Sequence, residues 1–239
     1  MDGIRIDTDR DTDTGMTDRT RIPAPPLILA SGSPRRRDLL GRFGVPFTVI
    51  ASGADETPPA GAAPPAVAEA LARIKAQEVA QAHPGAYVLG ADTLVTIDGL
   101  ILGKPRDTAD AARMLRLLRG RDHQVLTGVA LVTPDGTLHS LVEVATVTMH
   151  PFTEVTISSY LATDEPYDKA GSYAAQGAGG ALVAAIRGCY TCVVGLPVCR
   201  VATLLRDAGY PLDANPAAAC TPGIFCALSP PPPSSRTEK

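Results

Sequence analysis

The stretch Leu27–Arg37, LILASGSPRRR, runs an apolar strand pattern into three small residues, a proline and a helix pattern with almost no linker. That constrains the fold more than any other segment. A strand that empties into a small-residue turn and then a helix brings the turn N–H groups and the helix N-terminus to one point, a ready anion site. Pro34 suits the first helical position, where no N–H partner is lost. Arg35, Arg36 and Arg37 set guanidinium forks beside that point, and such forks match phosphate oxygens in pairs. Cations in a first helical turn oppose the helix dipole, so three of them there call for an anion or an acidic partner. The plainer alternative is a basic helix start that decorates a surface.

Strand and helix patterns then alternate. Phe47–Ile50 reads as a second strand, followed by the Gly/Pro-rich loop SGADETPPAGAAPP. Ala66–Ala82 has helical spacing, with Val67, Leu71, Ile74 and Val79 apolar. Tyr87–Ala91 reads as a strand, and Thr93–Ile97 with Leu100–Leu102 flank Asp98-Gly99, a hairpin signal. Thr108–Leu118 and Thr153–Leu161 read as helices, Gln124–Val132 and Leu138–Met149 as long strands joined at Pro134-Asp135-Gly136. Ala181–Ile186 reads as a strand, and Leu196–Leu205 as the start of a closing helix. This pattern predicts the α/β (mixed α+β) class, a central mixed twisted sheet flanked by helices. The folded body is expected over residues 23–212. Residues 1–22 alternate Asp, Arg and Thr, and residues 213–239 end in LSPPPPSSRTEK; both are expected to be disordered.

Composition excludes several classes. A net charge of −3 gives no global drive toward nucleic acid, and 4% aromatic content with no Trp gives no stacking platform. No apolar run approaches a membrane span, and the first residues lack a signal-peptide core, so the expected compartment is the cytoplasm. The cysteines are Cys189, Cys192, Cys199, Cys220 and Cys226. Cys189-x-x-Cys192 has no second pair at zinc spacing, so small buried thiols are the better reading.

Several polar residues sit where chemistry is done. Asp92 ends a buried strand pattern, a place to bind Mg²⁺ or orient a water, or simply to close a turn. Lys104 lies in Gly-Lys-Pro after the hairpin, either near a ligand or solvated. Glu56 lies in the long loop. Lys75 falls mid-helix between apolar residues, so it snorkels or points into a cleft. Gln176 lies in a glycine-dense stretch where backbone approaches a ligand, or which is merely flexible. No Walker-type phosphate loop, no dinucleotide fingerprint and no familiar hydrolase triad spacing is present, which favours water over a side chain as nucleophile.

These segments together resemble the Maf family of nucleoside triphosphate pyrophosphatases, from about Leu27 to Leu205. The motifs are LILASGSPRR at Leu27–Arg36, DET at Asp55–Thr57, LGADT at Leu89–Thr93 and LGKP at Leu102–Pro105. HQVLTGV at His123–Val129, KAGSYAAQG at Lys169–Gly177 and VVGLP at Val193–Pro197 complete the set. The resemblance implies a Maf/ITPase-like fold with an active-site cleft between two lobes. It also implies hydrolysis of a nucleoside triphosphate to the monophosphate and pyrophosphate with a divalent metal, Mg²⁺ or Mn²⁺. The Asp matching Asp92 is the proton acceptor, and positions matching Ser31, Arg35, Arg36, Glu56, Lys75, Lys104 and Gln176 line the site. Arg35, Thr93 and Gln176 match the branch acting on dTTP and UTP; a branch acting on 7-methyl-GTP tends to carry Trp at the position of Arg35. The chain departs from the family at Gly188–Cys192, where Ser and Asn are common in place of its two Cys, and in both tails.

On this reading Ser31 to Pro34 with Arg35 and Arg36 hold phosphate oxygens, while Lys75 and Lys104 neutralise the leaving pyrophosphate. Glu56 and Asp92 hold the metal, Asp92 also activates the water that attacks the α-phosphorus, and Gln176 pairs with a uracil or thymine edge. Arg37 is expected at the surface. The expected partner is the nucleotide, without stable nucleic-acid or membrane binding; oligomeric state is open, with a homodimer as the candidate. The alternatives are a house-cleaning pyrophosphatase for another non-canonical nucleotide, and a non-catalytic nucleotide-binding regulator of septum formation.

Overall fold

The computed structural model describes residues 25–57 and 61–212. The two expected tails, 1–22 and 213–239, and Cys220 and Cys226 with them, lie outside the described residues.

Strand β1 (Leu27–Ala30) is buried along its whole length and pairs in parallel with β2 (Thr48–Val49) on one side and β3 (Tyr87–Ile97) on the other. From β3 outward the sheet is antiparallel: β3 pairs with β5 (Asp122–Val132), β5 with β6 (Leu138–Met149), and β6 with β7 (Val183–Arg187). Short β4 (Leu100–Leu102) folds back on the end of β3, giving a seven-stranded mixed sheet among the described residues. The hairpin turn is Asp98-Gly99, both at positive φ (51° and 78°), as a tight turn between twisted strands requires.

One topological detail creates the site. β1 covers β3 only as far as Gly90, and β4 resumes at Val95. Among the described residues, Ala91–Leu94 therefore have a strand neighbour on the β5 side alone. This gap lies at the carboxyl end of a parallel strand, where open α/β sheets bind their ligands.

Helix α1 (Pro34–Gly41) follows β1, and α2 (Pro64–Ala82) packs on one face of the sheet through Ala72, Ala76 and Val79 against Ile28, Ala30, Val88 and Ala130. Two glycines set how closely α2 sits. A Cβ on Gly90 would fall 2.5 Å from the Ala72 carbonyl oxygen, and one on Gly128 2.1 Å from that of Ala68. Only glycine allows backbone to approach backbone at this distance.

The opposite face carries two separate apolar groups. Leu39 and Leu40 of α1, Val194 of α5 (Tyr190–Val194), and Val201 and Leu205 of α6 (Val198–Asp207) cover Leu27, Leu29, Leu89 and Leu131. Leu115 and Leu118 of α3 (Thr108–Leu118) and Ile157 of α4 (Glu154–Leu161) cover Val95, Ile97, Val125 and Val147. Thr93 lies between these two groups along β3 and lines the cavity described below, which also reaches Leu71 and Lys75 on the α2 side.

The fold class agrees with the sequence reading, and the element boundaries shift. The structure runs β3 unbroken through Asp92, because Asp92 pairs with Gly128 in the ladder. β7 begins at Val183 rather than Ala181, since Ala178–Leu182 winds into a 3₁₀ turn. That turn is held by Glu165, whose carboxylate accepts from the N–H groups of Ala178 and Gly179 at 3.0 and 2.8 Å. Helix α5 was not expected. Cys189 sits at its N-cap, its sulfur accepting from the Cys192 N–H at 3.4 Å, a capping role a Ser hydroxyl also fills. Cys189, Cys192 and Cys199 are small buried residues, as read from the sequence, and burial pushes the Cys192 thiol up to about 12.

Candidate active site

A cavity of about 840 Å³ opens at the gap in the sheet. Ser31, Arg35, Arg36, Glu56, Lys75, Asp92, Thr93 and Lys104 all line it, drawn from segments up to 73 positions apart. Gln176 is half-buried one position beyond Ala175, the last residue of its segment on the cavity wall. Arg37 is exposed and pairs with Asp38, as expected of a surface residue.

Lys75 occupies a slot that helical spacing reserves for an apolar side chain. The buried stripe of α2 runs Val67, Leu71, Lys75, Val79, four residues apart. Its ammonium is buried and donates to Asp92 Oδ1 at 2.7 Å, with Glu56 Oε1 at 3.1 Å. Asp92 is buried on the same face of β3, and Glu56 is exposed on the loop above. The close packing of α2 on Gly90 and Gly128 brings Lys75 within reach of Asp92. An ion pair this sheltered is strongly coupled, since removing either partner strands a charge.

Arg36 is held differently. Its Nε donates to the Gly195 carbonyl at 2.9 Å, Nη1 to Ser31 Oγ at 3.1 Å and Nη2 to Thr93 Oγ1 at 3.1 Å. The guanidinium therefore stitches the β1–α1 turn, β3 and the end of α5 into one wall. Burial lowers its pKa, while the charges of Asp92 and Glu56 act to raise it. Arg36 thus supplies positive field to the wall with its fork directed at protein oxygens. Arg35, on the same turn, and exposed Lys104, across the gap, also bring cationic side chains to the cavity wall.

Three contributors on the wall were missed by the sequence reading. Asp168 and Lys169 line the cavity as a pair. Burial acts to raise the Asp168 carboxyl, but the Lys169 hydrogen bond and the charges of Lys169 and Arg35 outweigh it and hold the group low. Tyr173 closes the apolar end beside Val95, Val125 and Val193, its hydroxyl 2.7 Å from His123 Nε2. The two rings meet edge to face at 5.4 Å. Burial lowers the His123 pKa to about 4, so this imidazole is neutral near pH 7. The signal available beforehand was His123 and Tyr173 each standing inside a quoted motif without an assigned task.

The donor set bears on a metal. Among the described residues there is no group of three or more His, Cys, Asp or Glu side chains able to hold a metal ion. Mg²⁺ is usually held by one or two carboxylates, waters and substrate phosphates rather than by an all-protein cage. Glu56 and Asp92, which converge on Lys75 at the cavity wall, fit that pattern. Among the described residues no helix is long and apolar enough to cross a membrane.

The chain is similar to known proteins over most of its described residues. A family model described as Maf-like protein matches residues 26–208. A dTTP/UTP pyrophosphatase of Pelotomaculum thermopropionicum is 46% identical over 185 residues, 77% of this chain and 97% of that protein. A dTTP/UTP pyrophosphatase of Bacillus cytotoxicus is 50% identical over 181 residues, 76% of this chain and 94% of that protein. Among solved structures, the Staphylococcus aureus Ham1 protein aligns with a TM-score of 0.41 and 16% identity, covering 53% of this chain and 72% of that one.

Proposed function

Because the chain belongs to the Maf-like protein family, we propose that it hydrolyses dTTP and UTP to the monophosphate and pyrophosphate. The observation that carries the reading is the Glu56–Lys75–Asp92 cluster facing the Ser31–Arg36 turn across one cavity. Relatives named dTTP/UTP pyrophosphatase, matched over 94% or more of their length, support the substrate class.

The nucleotide enters with its triphosphate over the β1–α1 turn. Ser31 is set up to donate there. Its oxygen already accepts from Arg36 Nη1 and from the Ser33 N–H at 3.3 Å, so its hydroxyl hydrogen remains for a phosphate oxygen. Arg35 and Lys104 neutralise the β- and γ-phosphates. Asp92 accepts a proton from a water as that water's oxygen bonds to the α-phosphorus; the bond from phosphorus to the α–β bridging oxygen breaks, and pyrophosphate leaves. Lys75 holds the Asp92 carboxylate in place and adds positive charge beside the reacting phosphate. Such catalysis is positioning plus electrostatic stabilisation. Glu56 and Asp92 would hold a divalent cation, Mg²⁺ or Mn²⁺, which when bound supplies charge neutralisation at the phosphate oxygens. The cytoplasm is the compartment this substrate implies.

The test is product identity with Mg²⁺ present. Monophosphate and pyrophosphate from dTTP and UTP, lost on chelation, support the reading; diphosphate and inorganic phosphate, or no turnover, overturn it.

A further inference from the structure

The HQVLTGV motif contains Thr127, fully buried behind the cavity wall in a strand of apolar residues. Its hydroxyl donates to the Cys192 carbonyl at 2.8 Å. Thr93 Oγ1 lies 3.0 Å from Thr127 Oγ1, opposite it in the β3–β5 ladder. A hydroxyl has one hydrogen. Thr127's is committed to Cys192, so in the Thr93–Thr127 contact Thr93 must donate. Thr93 in turn accepts from Arg36 Nη2. The direction of every hydroxyl in the row is therefore fixed: Arg36 to Thr93 to Thr127 to the Cys192 carbonyl.

Thr93 lines the cavity, and it has no hydrogen left to give. Toward a ligand it can only accept. That makes it a poor neighbour for phosphate oxygens and complementary to an N–H group. Ser31, on the other side of the same guanidinium, has the opposite polarity, with its hydrogen free and its lone pairs in use. The cavity wall thus changes from donor to acceptor across Arg36. On the acceptor side the lining is apolar, with Val95, Val125, Val193 and Tyr173, suited to a flat ring.

Resting on the function proposed above, we infer that Thr127 is a specificity-positioning residue. By taking Thr93's hydrogen it presents Thr93 as an obligate acceptor for the N3–H of a uracil or thymine ring. Cytosine has a lone pair at N3, and would meet Thr93 lone pair to lone pair. A site with committed polar groups rejects the mismatched partner far more strongly than a shape-only pocket does.

The experiment measures kcat/KM for UTP and CTP in the full chain and in Thr127→Val and Thr127→Ser. Thr127→Val frees the Thr93 hydroxyl to reverse, and the UTP/CTP ratio should fall roughly tenfold, the worth of about one hydrogen bond. Thr127→Ser keeps the relay and should hold the ratio within about twofold. Equal loss of both substrates in Thr127→Val would mean a structural role, or a Thr93 contact to the sugar hydroxyls that both nucleotides share, and would overturn the inference. Should Thr127→Val not fold, the unmodified chain decides. UTP methylated at N3 lacks the donor and should be a poor substrate, and turnover matching UTP would overturn the assignment. Wild-type chain inactive on both UTP and dTTP would remove the proposed function itself; a UTP preference that survives Thr127→Val would remove only this inference.

Discussion

Replacing Lys75 by Met keeps the stem that packs between Leu71 and Val79 and removes the charge that Asp92 and Glu56 share. Asp92 is then a buried carboxylate without its cation. Breaking one side of a buried pair costs about 3–5 kcal/mol. The lower end, about 3 kcal/mol, applies because the cavity admits water and Glu56 is exposed. With a urea slope of about 2 kcal/mol/M, the midpoint should drop by roughly 1.5 M. Asp92→Asn alone should cost less, since Lys75 keeps Glu56 at 3.1 Å. The double variant should recover part of the loss, with a coupling of about 2 kcal/mol between the sites. Equilibrium urea unfolding of the four proteins, by circular dichroism at pH 7.5, reads all of this from one cycle. Additivity within about 0.5 kcal/mol would refute the claim that Lys75 and Asp92 form one energetic unit.

Asp92→Asn should remain folded and lose pyrophosphate release from dTTP by about 10²–10⁴-fold, the usual contribution of a positioned general base; near-normal turnover would sink the proton-acceptor role. His123 gives a pH signature. Its pKa is lowered to about 4 by burial, while the unfolded chain titrates near 6.5. Stability is therefore full above the unfolded value and is lost as pH falls from 6.5 toward 4, by about 3 kcal/mol in total. Urea midpoints measured from pH 7 to 4.5 should show the decline, and His123→Gln should flatten it.

The sequence carried the fold class because periodicity and turn chemistry agreed. Asp98-Gly99 fixed a hairpin, and the spacing of Val67, Leu71 and Val79 fixed the inner face of α2. It also carried much of the cavity lining, because the residues concerned occur in short, ordered motifs. Other features depend on tertiary contact and were not legible. Whether Arg36 serves a ligand or the protein turns on where the carbonyl of Gly195 falls, 159 positions away. Whether Lys75 snorkels to solvent or faces a cleft turns on how close Gly90 and Gly128 let α2 approach. The polarity of Thr93 is set by Thr127 and by a carbonyl in α5, a helix that local pattern did not reveal. Gln176 is another such case: how far its side chain stands from the wall, one position beyond Ala175, depends on the path of the chain after the motif.

The central claim is that water attacks the α-phosphorus of a thymine or uracil nucleotide held between the Ser31–Arg36 turn and Asp92. Turnover of dTTP with Mg²⁺ in ¹⁸O-labelled water tests it most directly, with products separated and weighed by mass spectrometry. One ¹⁸O in dTMP and none in pyrophosphate is the predicted result. Label in the pyrophosphate, or in released inorganic phosphate, would place the attack elsewhere and contradict the account.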